Sequence, residues 1–184
     1  IVDQVDAMKR LVNEFRDYAR LPSAHLAPID LNALVNEVLM LYDADGVPDW
    51  LRLNLADHLP LVQGDAQLLR QVLHNLLQNA QEATVDLQAH PVSLSTEWHL
   101  ATERVRLRIS DEGQGFDESV LQRAFEPYVT TKPKGTGLGL AVVEKIIEEH
   151  GARISLANRY QGDEVIGAQV SLSFPAVSAQ SQKG

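Results

Sequence analysis

The residues with chemistry to offer fall in three clusters. The first is His74-Asn75-Leu76-Leu77-Gln78-Asn79-Ala80-Gln81-Glu82. Asn75 and Asn79 are four apart, which on a helix gives them one face with Glu82 close by. An amide oxygen is a hard, neutral donor suited to Mg²⁺, an ion that keeps most of its waters and takes phosphate oxygens as partners. Two amides that merely cap or solvate a helix would have the same spacing. The second cluster is Asp111-Glu112-Gly113-Gln114-Gly115-Phe116, placed where an alternating pattern stops. A carboxylate there can accept a hydrogen bond from an exocyclic amine such as that of adenine, worth about 1.5–3 kcal/mol net. The glycines let the chain turn beside a ring, although an ordinary tight turn has the same composition. The third is Gly135-Thr136-Gly137-Leu138-Gly139-Leu140, running directly into a helical pattern, with Lys132 and Lys134 just upstream. Free N–H groups at a helix start bind phosphate, and glycines keep side chains out of the way. The GxGxG spacing matches neither the GxGxxG dinucleotide fingerprint nor the GxxxxGK[ST] phosphate loop, and a glycine hinge is the plainer alternative.

Helices must carry the first cluster and follow the third. Asp65 can cap a helix over 66–86, with Leu73, Leu76, Leu77 and Ala80 on its apolar side. Residues 137–150 form a second helix, stopped by Gly151 in the usual helix-ending role. A third, over 30–43, is capped by Asp30 and turns Leu31, Leu34, Val35, Val38 and Leu39 inward. Asp43-Ala44-Asp45-Gly46 begins like a calcium loop, but the remaining ligands do not follow, so it reads as a turn. Alternation predicts strands at 51–55, 92–99, 104–111, 153–160 and 165–174, with a polar turn between the second and third. A short helix covers 117–123, and 125–136 is irregular. Ahead of all this, Ile1, Val5, Met8, Val12 and Phe15 draw one apolar stripe on a helix over 1–21, followed by a linker at 22–28. That helix either folds back on the domain or pairs with another chain. The sum is an α+β fold, with helices layered on a mixed sheet, and a flexible tail from Ser178.

The 184 residues carry 16 basic and 25 acidic side chains, a net charge of −9 that argues against phosphate-driven nucleic-acid binding. An anionic ligand must therefore find local positive charge. The absence of cysteine removes disulfides, thiolate metal sites and cysteine nucleophiles. No apolar run approaches the roughly 20 residues of a membrane helix. The chain opens on Ile1 inside a helical pattern, as a piece of a longer protein would.

Taken together, the clusters resemble the histidine kinase and gyrase-type ATPase superfamily over about residues 26–175. NLLQNAQEA (75–83) is similar to its asparagine box, DEGQGF (111–116) to its first glycine box, FEPYVTTK (125–132) to its phenylalanine box and GTGLGL (135–140) to its second glycine box. The resemblance implies a two-layer α/β sandwich with a mostly antiparallel sheet, an ATP-binding domain over 29–177, and ATP with Mg²⁺ as its ligands. It makes Asn79 the metal ligand with Asn75 assisting and Glu82 alongside, and gives the adenine amine to Asp111. Gly113 and Gly115 would shape the base pocket. A mobile lid would run from Phe125 to Gly135, with Lys132 near the phosphates and Thr136, Gly137, Leu138 and Gly139 passing close to them.

Within the superfamily, hydrolysing branches carry a water-activating Glu one turn before the metal asparagine. This chain has Asn75 there, which cannot act as a general base. The resemblance thus narrows to a sensor histidine kinase, with some likeness to the nitrogen-regulation type, a histidine acceptor and a response regulator as the next recipient. An ATPase or serine kinase such as an anti-sigma factor, and a nucleotide-silent interaction module, are the alternatives. Residues 1–21 then resemble the second helix of a dimerisation and phosphoacceptor hairpin. The acceptor His of such kinases precedes an acidic residue, whereas the six histidines here precede Leu26, Leu59, Asn75, Pro91, Leu100 and Gly151. The expectation is a cytoplasmic unit, whether or not its parent is anchored in a bacterial inner membrane. It would bind ATP without phosphorylating itself. His74 is expected on a helix surface, and His150 at a helix end where positive charge suits the dipole.

Overall fold

A computed structural model describes residues 1–21, 23–87, 91–130 and 137–178. In chain order its elements are α1 (Val2–Ala19), β1 (Ala27–Ile29), α2 (Leu31–Leu39), β2 (Leu51–Asn54), β3 (Val62–Gly64), α3 (Ala66–Ala83), β4 (Val92–His99), β5 (Arg104–Asp111), α4 (Glu118–Leu121), α5 (Gly139–Glu149), β6 (Arg153–Gln161) and β7 (Glu164–Pro175). Five strands form one sheet in the order β2-β4-β5-β7-β6, in which only β2 and β4 run parallel. Helices cover one face. This is the expected two-layer α/β sandwich.

Local chemistry explains the elements that matter for the site. Asp65 Oδ1 accepts the Gln67 and Leu68 N–H groups and so starts α3. From there Leu69, Val72, Leu73, Leu76, Leu77 and Ala80 return every three or four residues to one buried face. Asn75, Asn79 and Glu82 are left on the other side. Thr84 Oγ1 donates to the Ala80 and Gln81 carbonyls, ending α3 at Ala83 rather than at the expected Asp86. Asp30 caps α2 through the Ala33 N–H, and all five of its apolar residues are buried as expected. On β5, buried Val105, Leu107 and Ile109 alternate with Arg104, Arg106 and Arg108, which fixes the register of the central strand. The Asp43 segment is a turn, its carboxylate accepting the Asp45 N–H at 2.9 Å.

Two short strands differ from the sequence expectation. β1 begins at Ala27, inside the segment read as linker, and pairs antiparallel with β3, where Val62 is fully buried. Three residues hold no readable period, and only tertiary pairing makes such a segment a strand. The β4–β5 connection is a 3₁₀ turn at Leu100–Thr102, closed by Glu103 in the left-handed region. The tail residues 179–184 lie outside the described residues.

Helix α1 is tied to the domain near its end. Lys145 of α5 donates to the Tyr18 carbonyl at 3.2 Å and sits 4.0 Å over its ring. The apolar stripe itself is uncovered, with Met8 66% and Val12 61% exposed. His150 is a correction of another kind. It is buried, its Nε2 accepts the Asp65 N–H at 2.9 Å, and its Nδ1 faces the Ile146 carbonyl at 2.7 Å. The Asp65 N–H can only donate, so the network places the proton on Nδ1. His150 thus ties the end of α5 to the start of α3 as a neutral link rather than serving as a helix-end cation.

Candidate functional site

A cleft of about 990 Å³ opens between α3, the turn after β5, the middle of β7 and the start of α5. It brings together Asn75, Asn79 and Glu82 with Asp111, Gly113 and Gly115, although 29 or more positions separate the two sets in sequence. Gly137 and Gly139 line the same space. Volume and lining suit a ligand with a flat ring and a charged end.

Asp111 stands at the end of β5, where the sheet delivers it to the cleft. Its Oδ1 accepts the Gly113 N–H at 2.9 Å and the Ala168 N–H at 3.3 Å. Burial pushes the carboxyl above the ordinary carboxylate range, outweighing those two donors and nearby Arg159. Among the described residues, nothing donates to Oδ2. A half-buried carboxylate with one oxygen open to the cleft is poised to accept a hydrogen bond from a ligand donor.

Three residues that fix this carboxylate were not anticipated. Asn158 of β6 holds the turn bidentately, accepting the Phe116 N–H at 2.8 Å and donating to the Phe116 carbonyl at 2.7 Å. Arg159 donates to the Asp111 carbonyl at 2.8 Å. Gly167 of β7 lies so close to the Asp111 carbonyl that a Cβ would overlap it. A glycine inside a strand does signal close backbone approach, so Gly167 was detectable. Asn158 and Arg159 read only as polar residues on a strand.

The two glycines that precede and open α5 have separate duties. Gly137 has φ +73°, and a Cβ there would strike the Tyr128 backbone, whose N–H donates to the Gly137 carbonyl at 3.0 Å. This bond holds Gly137 against Tyr128. At Gly139 a Cβ would meet nothing within 4 Å, so this position faces open cleft. Among the described residues no side chain caps α5, and an uncapped helix start points its first N–H groups where an anion can meet them. Phe125 and Leu138 do not line the cleft: Leu138 is fully buried and Phe125 is half-buried, while Ala124, Val129 and Thr130 line it instead. Lys132, Lys134, Gly135 and Thr136 lie outside the described residues.

Among the described residues, no three acidic, histidine or cysteine side chains gather to hold a metal ion by themselves. The amides of Asn75 and Asn79 fit an ion whose other ligands are water and phosphate. His74 is on the helix surface as expected, and its Nδ1 meets the Tyr42 hydroxyl at 2.9 Å. Arg10 and Glu14 of α1 also reach the rim of the cleft, which no local pattern in the sequence announced.

A family model described as histidine kinase-, DNA gyrase B- and HSP90-like ATPase matches residues 64–178. The chain is similar to sensor histidine kinase ZraS of Escherichia coli O157:H7, 37% identical over 174 residues that make up 94% of this chain and 36% of that protein. It is also similar to nitrogen regulation protein NtrY of Azorhizobium caulinodans, at 33% identity over 96% of this chain and 23% of that one. Among solved structures, full-length ShkA in complex with AMPPNP aligns with a TM-score of 0.76 and 28% identity, over 96% of this chain and 37% of that one. The chain thus spans between 23% and 37% of the length of these relatives.

Proposed function

The chain belongs to the histidine kinase-, DNA gyrase B- and HSP90-like ATPases, and from that premise we propose that it is the ATP-binding catalytic domain of a two-component sensor histidine kinase. The observation that carries this reading is the pairing of half-buried Asp111 with Asn75 and Asn79 across one cleft, where no carboxylate stands one turn before Asn79.

The geometry of the cleft supports the following roles. Asp111 Oδ2 accepts from the adenine amine, while Asn158, Arg159 and Gly167 hold the carboxylate still. The open start of α5 at Gly139 receives the phosphates through N–H groups and the helix dipole. Asn79, assisted by Asn75 and with Glu82 nearby, would hold Mg²⁺, which when bound offsets the phosphate charge. Lys132, outside the described residues, would add positive charge near the phosphates as the family resemblance implies. Asn75 cannot take a proton from water, so the site retains ATP until a histidine supplied by another segment attacks the γ-phosphoryl group in line. Arg10 and Glu14 place α1 at the mouth where such a segment would arrive. Their helix is the second helix of a dimerising hairpin, with its uncovered stripe as the seam. The phosphoryl group then passes to a response regulator. Among the described residues no helix is long and apolar enough to cross a membrane.

Mixing the chain with a separately prepared acceptor hairpin and γ-labelled ATP tests the reaction. Label on a histidine of the hairpin is the expected result. Steady phosphate release without labelled protein would make the site an ATPase and overturn the kinase reading.

A further inference from the structure

The outward face of the sheet carries chemistry that the cleft does not use. Alternation on β5 sends Arg104, Arg106 and Arg108 to that face. The strand register then fixes their neighbours. Arg106 lies between Glu97 of β4 and Ser173 of β7, and Ser173 lies beside Arg153 of β6. Arg108 lies between Ser95 and Ser171, and Arg52 of β2 sits next to Ser93. Five of the chain's 16 basic side chains thus share one flat face, all of them arginine, spaced by serines.

Little on the face neutralises them. Glu97 is spent on Arg108 at 3.7 Å. Arg104 is laid flat by bonds from Nε to Ser173 Oγ at 2.6 Å and from Nη2 to the Ser173 carbonyl at 2.7 Å. Neither Arg106 nor Arg153 forms an ion pair among the described residues. Burial, and after it the neighbouring charges of Arg153 and Arg106, hold the Arg104 pKa below its ordinary value. Ser171, Ser173 and Ser93 are the cross-strand neighbours of Arg108, Arg106 and Arg52 on β7 and β4, and as serines they supply no balancing charge. In a chain of net charge −9 the concentration is opposite in sign to the whole.

We propose that this face docks an acidic polypeptide segment of another protein, with carboxylates seated over Ser173 between Arg106 and Arg153. The planar arginine fork matches a carboxylate with two parallel hydrogen bonds, and the serine hydroxyls can donate to its remaining lone pairs. None of the large exposed apolar side chains stands in these rows, so the face has no wedge for a bilayer and no platform for stacking bases. The net negative charge further disfavours a long phosphate backbone. Charge complementarity with a short carboxylate-rich segment is what is left. This proposal is independent of the nucleotide reading.

Fluorescence anisotropy of a labelled oligoglutamate peptide titrated with the whole chain tests it. Saturable, salt-sensitive binding is expected. The double variant Arg106→Ser/Arg153→Ser should weaken it at least about tenfold and the Arg106→Lys/Arg153→Lys pair about threefold, while Arg20→Ser on α1 leaves it unchanged. Mg-ATP affinity should be the same in all of them, which reports an intact fold. Absence of saturable binding, or equal binding by the double serine variant, overturns the proposal. So does tighter binding of phosphatidylglycerol vesicles or a single-stranded oligonucleotide through the same arginines. Self-association that disappears in the double variant would make the occupant a second copy and would also overturn it.

Discussion

Two aspartates close strands and accept backbone N–H groups in this molecule, and their carboxyls move in opposite directions. Asp65, after β3, accepts from His25, Gln67 and Leu68, and the His25 bond leads in holding its pKa below the ordinary value. Asp111, after β5, accepts from Gly113 and Ala168, and burial pushes it up. The first has its charge spent inside the protein, joining the segment after α1 to the start of α3. The second is half-buried and short of donors, which costs stability and leaves an oxygen for a ligand. One region is built to hold, the other to receive.

The largest effect should come from Asp111→Ala, which removes the adenine acceptor. Calorimetry should show Mg-ATP binding weakened roughly 10- to 150-fold, the equivalent of about 1.5–3 kcal/mol. Asp111→Asn should also lose affinity yet be no less stable than the parent at neutral pH. A carboxyl raised in the folded state makes the fold less stable as pH rises through the window above the unfolded pKa. The stability advantage of Asn should therefore be present at pH 7 and vanish in acid, as denaturant titrations across pH will report.

Asp65→Ala should do the reverse, lowering stability by about 1–2 kcal/mol through loss of the α3 cap, with a smaller change in nucleotide affinity. Asp65 is depressed in the fold, so its contribution is present above the unfolded pKa and is lost as pH falls through the folded one. The gap in melting temperature between parent and Asp65→Ala should narrow on acidification. A gap that widens would mean that the cap is not what the carboxylate provides.

Much of this contrast was legible in the sequence and part of it was not. Asp65 announced its cap because it directly precedes a three-and-four apolar pattern, and Asp111 was marked by flanking glycines where alternation stops. Both are local signals. Asn158 and Arg159 act on Phe116 and Asp111 from 42 and 48 residues away, and no window of sequence contains such a pair. β1 and β3 escaped for the same reason, since each is a strand only because of the other. In the glycine-rich segment composition was visible but division of labour was not, because Gly137 is required by Tyr128 and Gly139 by empty space.

That division gives the smallest prediction. Gly139→Ala, in the first turn of α5, should keep or slightly raise stability, by at most about 1 kcal/mol, while weakening Mg-ATP binding severalfold by placing a methyl in the cleft. Gly137→Ala should instead lower the melting temperature, since its side chain has no room beside Tyr128. Equal behaviour of the two variants would mean that the glycines share one role.

Whether the Asp111 carboxylate reads a purine amine can be asked most directly by titrating the chain calorimetrically with Mg-ATP and then with Mg-GTP. Guanine presents a carbonyl where adenine presents an amine, so an acceptor at Asp111 would face another acceptor. Saturable binding of ATP is expected, with GTP at least about tenfold weaker, a difference of about 1.4 kcal/mol. No heat with millimolar ATP, or equal affinity for the two nucleotides, would contradict the assignment of the cleft.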